Sequence, residues 1–354
     1  TWDFKTCLLF ISRFLNKRLQ TEIDQYFTDI NGHFKRKASV SSFTQSRDKI
    51  SYQAFNEVNS ALVRNYYQNF DFKTFHGYRL VAIDGSVFTT HRNSETIAEF
   101  GDDVLSNTDK KTWLKSQVSF ASDVLNNICI DGIIAPYKMC EKKLADQHVA
   151  SITGNNLYLF DRGYISKRLI SKLYELDQQF CMRAPRRAMQ EVVDFINSDQ
   201  TDIIQKISID GVKHTVRMTK IDLNSGETEY LVSSLIDKTK FDKKALKSLY
   251  HKRWGVEEQY KDFKHAICVE NFVGKKVNSI KQEFFSNILS YNLGMMAFAR
   301  PIEKEKNKGK YKHKHKANKR AILAVVKQQW VNLFFKVQTI TELYDDIINA
   351  LLKE

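Results

Sequence analysis

Apolar residues recur at helical spacing through roughly the first seventy positions of the chain. Leu8, Ile11 and Leu15 mark one apolar face, and Ile23 and Phe27 belong to a second one. Residues 39–62 predict two short helices joined near residues 49–51, with Arg47 at the junction. Such a pair is compatible with a helix-turn-helix that binds DNA and equally with a plain helical domain. These residues alone do not decide between the two.

From residue 78 the pattern changes to short apolar runs of strand length. The run YRLVAIDGSVF (78–88) predicts a strand that ends at Asp84-Gly85-Ser86. Later strands are predicted at 115–124, 127–135, 156–160 and 179–184, with helices at 141–152 and 166–176. Asp161 directly follows the strand at 156–160. The predicted order of three strands, helix, strand, helix, strand indicates an α/β fold.

Between residues 185 and 242 the chain has the pattern of a small β insertion. Residues 206–221 alternate around Asp210-Gly211, which is a strong hairpin signal, and a third strand is predicted at 229–236. Helices are predicted at 243–266 and 281–299, and one or two amphipathic helices at 321–352. No apolar run reaches the length of a membrane span, and no signal peptide opens the sequence.

The strongly basic composition predicts that the protein binds a polyanion such as nucleic acid. The formal net charge of the 354 residues is +14, and residues 300–320 hold ten Lys and Arg against two Glu. Arg183 begins a smaller basic cluster after a predicted strand, which contacts phosphate or is simply solvated. The five cysteines form no CxxC pair, which argues against a zinc ribbon and a disulfide framework and fits a reducing compartment.

One charged segment carries candidate chemistry. Residues 250–264 read YHKRWGVEEQYKDFK and predict a helix. At about 100° per residue, Tyr250, Arg253, Glu257 and Lys264 fall within an arc of roughly 60°. The arc is either a solvated charged stripe or a metal-binding carboxylate flanked by cations that hold phosphates. The choice depends on carboxylates elsewhere.

Two aspartates supply the possible partners. Asp84 and Asp161 are each predicted to end a hydrophobic strand, and strand ends in one sheet bring distant residues together. A helix carrying Glu257 and packed on that sheet would complete a set of three acidic oxygen donors. Two Mg²⁺ ions need such donors, and a pair of these ions suits phosphodiester chemistry.

The same residues resemble a known family. Tyr250, Arg253, Glu257 and Lys264 match the pattern Y-x2-R-x3-E-x6-K, which marks the DDE transposases of bacterial insertion sequences in the insertion sequence four group. IDGS (83–86) and DRGY (161–164) resemble the two aspartate blocks of that family. The resemblance covers roughly residues 40–300. It implies a ribonuclease-H-like α/β catalytic core with a β-strand insertion, flanked by helical N- and C-terminal regions.

The resemblance also implies a division of the chain and a set of roles. A helical DNA-binding region would span 1–76, the core 77–184 and 243–300, the insertion 185–242, and a basic stretch with C-terminal helices 301–354. The catalytic and metal-binding residues would be Asp84, Asp161 and Glu257, with two Mg²⁺ ions, for which Mn²⁺ is expected to substitute. The residues expected to contact DNA are Tyr250, Arg253, Lys264, Arg183, Tyr230 and Arg47.

The implied activity is cut-and-paste transposition in the bacterial cytoplasm. The enzyme would nick at terminal inverted repeats, form and resolve hairpins, and join 3′-OH ends to target DNA as a homodimer synapsed on DNA. The best-known relative uses a Trp for base stacking in the strand before the signature helix. The nearest counterpart in this chain is Tyr230, which is either the stacking residue or an ordinary strand aromatic. Two alternatives stay open: an inactive transposase-derived DNA-binding regulator, and another two-metal nuclease or integrase with the same core. A paired-carboxylate glycosidase fits the basic charge far less well.

Overall fold

A computed structural model describes most of the chain, in the ranges 2–13, 15, 18–34, 38–103, 113–223, 225–262, 272–308, 315–335 and 340–353. Four helices open it, as predicted: α1 Phe4–Ile11, α2 Leu19–Asn31, α3 Val40–Arg47 and α4 Gln53–Asn69. Asp3 caps α1 through the backbone N–H of Thr6, and Ser39 forms a capping box with Ser42 at the start of α3. These caps satisfy backbone donors that a helix start leaves unpaired.

Eight strands form one continuous sheet in the order β3-β2-β1-β4-β5-β8-β7-β6. They are β1 Arg79–His91, β2 Trp113–Asp123, β3 Ile128–Pro136, β4 Asn156–Phe160, β5 Gln179–Ala184, β6 Asp202–Ile209, β7 Val212–Asp222 and β8 Thr228–Ser233. The first three strands are antiparallel, and β1, β4 and β5 run parallel. This arrangement confirms the expected ribonuclease-H-like α/β core. The predicted β insertion supplies β6 to β8, and these strands extend the same sheet because β8 pairs with β5.

The remaining helices pack on both faces of the sheet or follow it in sequence. They are α5 Ser94–Phe100, α6 Glu141–Ser151, α7 Lys167–Glu175, α8 Gln190–Asn197, α9 Lys243–His251, α10 Trp254–Lys261, α11 Val277–Gly294, α12 Arg300–Lys306, α13 Lys319–Phe335 and α14 Ile340–Leu352. A π-helical turn, Met295–Ala299, joins α11 to α12. None of the helices in the described ranges has the length and apolar content of a membrane span.

The strand β1 shows why the central strands are apolar without interruption. Alternate side chains of a strand point to opposite faces. Leu80 and Ala82 therefore enter the core beneath α11 and the N-terminal helices, whereas Val81 and Ile83 enter the core beneath α6 and α7. All four are fully buried. A strand covered by helices on both sides has no solvent-facing row, so the alternation of a half-exposed strand does not occur here.

The structure departs from the predicted elements in β1, in the helix predicted over 243–266, and in helices α5 and α8, which were not predicted. The strand β1 continues past Asp84 to His91, because the antiparallel partner β2 keeps pairing with it after the parallel partner β4 has ended. The helix predicted over 243–266 is two helices, α9 and α10. They meet at Lys252 and Arg253, where backbone N–H groups bond three residues back instead of four.

Candidate active site

Asp84 lies in the middle of β1, and its backbone is held from two sides. Its carbonyl oxygen accepts a hydrogen bond from Ser119 Oγ on β2 at 3.2 Å and one from Tyr260 Oη on α10 at 2.6 Å. Its Oδ1 accepts from the backbone N–H of Gly85 at 2.9 Å. Burial raises the pKa of Asp84 to about 6, against the opposing effects of the Gly85 N–H and of Arg253. The carboxyl group is therefore fixed and costly to ionise.

Asp161 lies beside Asp84 because their two strands are parallel neighbours. The β1–β4 ladder pairs Ile83 with Phe160, and each aspartate is the next residue along its strand. The hydroxyl of Tyr250, on α9, lies 3.3 Å from Asp161 Oδ1 and 3.4 Å from the carbonyl oxygen of Phe160. The second aspartate is thus tied to the helix that precedes the glutamate.

Arg253 links the glutamate to the aspartates from the junction of α9 and α10. Its Nη2 donates to Glu257 Oε1 at 2.7 Å, and its Nη1 lies 4.0 Å from Asp84 Oδ2. The side chain is 4% exposed and lies between the rings of Tyr250 and Trp254. Burial opposes the charge of Arg253, but the neighbouring Tyr250, Glu257 and Asp161 outweigh it and raise its pKa. One guanidinium therefore lies among three carboxylates.

The described part of the signature segment is not a solvated charged stripe. Tyr250 is 3% exposed, and its hydroxyl faces Asp161 rather than solvent. Arg253 is buried against Glu257. Lys264 lies outside the described residues. The break between α9 and α10 and the packing of both helices on the sheet turn Tyr250 and Arg253 inward, so their contacts within the protein are to the carboxylates.

Arg47 is far from these carboxylates and is buried. Its guanidinium donates to Gln282 Oε1 at 3.0 Å, to Glu283 Oε1 at 3.0 Å and to the carbonyl oxygen of Ser279 at 3.1 Å. The charge of Arg47 is paired on α11 and the residue is 3% exposed, which argues against the expected contact with DNA. Its role is to hold α3 against α11.

Arg183 and Tyr230 lie next to each other across the β5–β8 ladder. Arg183 pairs with Leu231 and Ala184 pairs with Tyr230 in that register. The guanidinium Nε of Arg183 lies 3.3 Å from Glu229 Oε1, which leaves it partly exposed. Tyr230 is half-buried against the core beneath α6 and α7. Arg183 lies on β5 and Tyr230 on β8, and because they are one step apart in the register their side chains face opposite sides of the sheet.

Four residues at the site were not predicted: Glu141, Tyr164, Trp254 and Tyr260. The ring of Trp254 is 53% exposed beside Arg253, whereas the sequence suggested an ordinary apolar position. Tyr164 is buried, and its hydroxyl has no hydrogen-bond partner among the described residues. Burial raises the pKa of Tyr164, as do the charges of Asp84, Glu141 and Asp161. Only Tyr164 had a sequence signal, since it ends the DRGY block.

A buried hydrogen-bond chain behind Asp84 resembles a serine hydrolase triad in composition. His148 Nδ1 lies 2.7 Å from Asp131 Oδ2, and His148 Nε2 lies 3.1 Å from Ser119 Oγ. Ser119 and His148 are at most 1% exposed, so no substrate reaches the hydroxyl. The chain instead fastens α6 to the backbone of β1 at Asp84.

The carboxylates of Asp84, Asp161 and Glu257 are suitable ligands for divalent cations, although they are not gathered around a single point in this structure. No group of three His, Cys, Asp or Glu side chains in the described ranges is gathered as a ready metal site. Arg253 holds the space between Asp84 and Glu257. Carboxylate oxygens on three elements around one cation are the ligands that Mg²⁺ prefers. Arg253 Nε and Tyr164 Oη, both buried and unpartnered in the described part of the chain, mark a polar pocket that the protein alone does not satisfy.

A groove opens on the far side of Trp254. It has a volume of about 1600 Å³ and lies between α4, α10, α12 and α14. Its described lining includes Lys252, Trp254, Arg300, Lys304 and Lys316. Basic side chains and an exposed aromatic ring in one groove are the surface features that bind single-stranded nucleic acid.

The chain is similar to known transposases. Residues 75–293 match the family model described as "Transposase DDE domain". The chain is 22% identical over 265 residues to "Transposase InsG for insertion sequence element IS4" of Escherichia coli strain K12. The aligned region is 72% of this chain and 60% of that protein. It is also 27% identical over 137 residues to "Putative transposase InsZ" of the same organism. The aligned region is 37% of this chain and 45% of that protein. The chain therefore matches less than two thirds of the length of either relative.

A solved structure is also similar. The cryo-EM structure of a piggyBac transposase synaptic complex with hairpin DNA has a TM-score of 0.46 and 11% sequence identity to this chain. The likeness covers 98% of this chain and 85% of that one.

Proposed function

This chain belongs to the transposase DDE domain family, whose model matches more than half of its length, and from that premise we propose that it is a DNA transposase. The observation that carries the proposal is the position of Asp84, Asp161 and Glu257 around Arg253. All of them lie within the matched residues. Few functions other than binding a divalent cation or a phosphate require so many charges in one buried place.

Asp84, Asp161 and Glu257 would hold two Mg²⁺ ions, or Mn²⁺ in their place. When bound, such ions supply activation of an attacking oxygen and stabilisation of the leaving oxygen in phosphodiester chemistry. The protein's own part is to fix the carboxylates. Ser119 and Tyr260 hold the backbone of Asp84, and the Tyr250 hydroxyl holds Asp161. Arg253 offsets the repulsion between Asp84 and Glu257.

The proposed reaction has four steps at the ends of an insertion sequence. Water attacks a phosphodiester at a terminal inverted repeat and frees a 3′-OH. That 3′-OH attacks the opposite strand, which releases the flanking DNA and leaves a hairpin. Water opens the hairpin and frees the 3′-OH again, which then attacks target DNA and displaces a 3′-OH there. The two hydrolyses each break one phosphate ester bond and leave a 5′-phosphate and a free 3′-OH. The two attacks by a 3′-OH each exchange one phosphate ester bond for another, so no covalent protein intermediate is required.

DNA contacts are assigned to residues of β5 and of the family signature. Arg183 and Lys264 would contact phosphates, and Arg253 and Tyr250 would orient the carboxylates that meet the scissile phosphate. A homodimer on two DNA ends and a cytoplasmic site of action complete the proposal. The division at residues 76, 184, 242 and 300 assigns DNA binding to the N-terminal helices and chemistry to the core.

The hairpin step needs a base removed from the stack, and Tyr230 is the proposed stacking residue. The exposed Trp254 provides the matched comparison, because it is the more accessible ring. Nicked and hairpin products should be counted for Tyr230→Ala and Trp254→Ala on an end duplex. Loss of hairpins with nicks retained in Tyr230→Ala supports the assignment. If Trp254→Ala shows that pattern and Tyr230→Ala does not, Trp254 is the stacking residue.

The test of the proposed function is cleavage of a plasmid that carries the two inverted repeats flanking the gene. Wild-type protein should nick and excise with Mg²⁺ or Mn²⁺ and be inactive with EDTA. Asp84→Asn should bind the ends without cutting them. Binding by wild-type protein without any cleavage would identify a DNA-binding regulator instead. Cleavage without regard to the repeats would identify a different nuclease of the same core.

A further inference from the structure

A fourth carboxylate lies beside Asp84, on an element that the signature does not include. Glu141 is the first residue of α6, and its Oε1 accepts a hydrogen bond from Gln117 Nε2 at 3.1 Å. Gln117 is 5% exposed on β2. No described residue is hydrogen-bonded or ion-paired to the other oxygen of Glu141, which is exposed to solvent. One oxygen is thus held in place while the other stays available.

Gly85 makes the approach of this carboxylate possible. A Cβ at position 85 would lie 2.7 Å from Glu141 Oε1 and 2.9 Å from Gln117 Nε2, both closer than real Cβ atoms come. Gly85 does not have a positive φ, so the turn chemistry that Asp-Gly suggests does not explain it. The glycine next to Asp84 instead leaves room for Glu141 above the strand.

Helix α6 is anchored firmly enough to hold Glu141 at that place. His148 connects the helix to Asp131 and, through Ser119, to the Asp84 carbonyl. The Nζ of Lys142 donates to the carbonyl oxygen of Ile165 at 3.1 Å, next to Tyr164. Helix α6 is thus held both to the strands behind Asp84 and to the segment that follows Asp161.

An independent feature indicates a ligand at this point. The buried hydroxyl of Tyr164 has no partner among the described residues, and Asp84, Glu141 and Asp161 are the negative charges that act on it. Buried hydroxyls are rarely left unsatisfied unless water or a bound group completes them. The charge of Arg253, whose Nη1 lies 4.0 Å from Asp84 Oδ2, also acts on this hydroxyl.

We propose that Glu141 is a fourth carboxylate of the acidic centre and helps Asp84 to hold a divalent cation, directly or through a bound water. The proposal rests on the proposed function, since it assumes that Asp84 binds the cation. Gln117 is then a positioning residue. Gly85, which has no side chain, leaves the space that the Glu141 carboxylate occupies.

The test is a Mn²⁺ titration followed by electron paramagnetic resonance of the free ion, which needs neither DNA nor turnover. Wild type, Asp84→Asn, Glu141→Gln and Glu342→Gln should be compared. Glu342 is the matched control, because it is an exposed glutamate in the first turn of another helix, α14. Glu141→Gln should weaken Mn²⁺ binding on the order of ten-fold, as outer-shell changes at metal sites do. Glu342→Gln should match wild type.

Gly85→Ala gives a second measurement that removes no charge. Its added methyl group should displace Glu141 and lower Mn²⁺ affinity in the same direction, with thermal unfolding recorded to confirm a folded protein. Unchanged affinity in Glu141→Gln, with binding lost in Asp84→Asn, would overturn the role of Glu141 and leave the proposed function standing. Absence of Mn²⁺ binding by wild type, or full binding by Asp84→Asn, would instead contradict the metal centre itself.

Discussion

Asp84 is a largely buried carboxyl group, and its ionisation therefore lowers the stability of the folded protein. Its pKa is about 6 in the folded protein against an ordinary value of 3.8. Between these values the folded state holds a proton that the unfolded chain has lost, so stability falls as pH rises through this window. Above pH 6 the buried charge lowers the free energy of unfolding by up to about 3 kcal/mol relative to acidic pH, at 1.36 kcal/mol per pKa unit.

Asp84→Asn should therefore be more stable than wild type at pH 7.5, because the amide carries no charge to desolvate. The difference should shrink toward zero near pH 4, where the wild-type side chain is protonated. Urea unfolding midpoints of both proteins at the two pH values measure this. A difference that does not change with pH would show that burial does not raise the pKa of Asp84.

Glu257 should separate DNA binding from chemistry. Glu257→Gln keeps the size of the side chain but removes a charge that a Mg²⁺ site needs, while Lys and Arg contacts to phosphate are unaffected. The variant should bind end DNA about as well as wild type, with the same salt dependence. Its nicking rate should fall by several orders of magnitude.

A gel-shift titration across salt concentrations, run beside a Mg²⁺ cleavage time course, measures both properties of Glu257→Gln. Glu258→Gln, at the neighbouring exposed position on α10, serves as the control. Near-normal cleavage by Glu257→Gln would show that this carboxylate is not a metal ligand.

At the scale of elements, the N-terminal helices are joined to the core by a buried ion pair. Arg47 on α3 and Glu283 on α11 lie 3.0 Å apart and are almost fully buried. Glu283 also accepts hydrogen bonds from the backbone N–H groups of Val273 and Gly274, so it is not left wholly unpaired when Arg47 is replaced. Removing one partner of a buried pair typically costs about 3–5 kcal/mol.

Arg47→Met should accordingly lower the free energy of unfolding by about 3 kcal/mol, at the lower end of that range. DNA affinity per folded molecule should stay the same, since the guanidinium faces protein. Arg64→Met, at an exposed position on α4, is the control and should change little. A loss of DNA affinity in Arg47→Met at full stability would restore the helix-turn-helix interpretation of this region.

At the scale of the whole molecule, the positive charge is concentrated where the groove lies. Lys304 and Lys316 line it, and neither is paired with a carboxylate among the described residues. Each phosphate contact contributes about 0.9 to the slope of log affinity against log salt. Lys304→Gln with Lys316→Gln should therefore reduce the slope by about 2 and weaken binding at low salt.

The matched control for the groove is Lys206→Gln with Lys213→Gln, two exposed lysines on β6 and β7 at the far edge of the sheet. This double variant carries the same change in net charge. Fluorescence anisotropy with a labelled duplex at several salt concentrations compares the two. Equal effects would mean that the total charge of +14, rather than the groove, sets the affinity.

The amino-acid sequence by itself predicted most of the order of elements and singled out Asp84, Asp161 and Glu257. Hydrophobic runs placed the strands, and Asp161 follows β4 as predicted. Both signals are local, because a strand's apolar run and a helix's periodicity are written in neighbouring residues. The family signature likewise depends only on spacing, and it was enough to indicate the transposase family.

Only the tertiary structure decided how the charged side chains are used. Arg47 and Tyr250 were both expected to contact DNA, yet packing buries one against α11 and the other against Asp161. Nothing in the sequence around Glu141 indicated a role at the site, because the residues it contacts, Gly85 and Gln117, lie on β1 and β2 and are distant along the chain. Burial and pairing depend on which elements lie against each other, and a pattern along one helix or strand contains no information about the surface that will cover it.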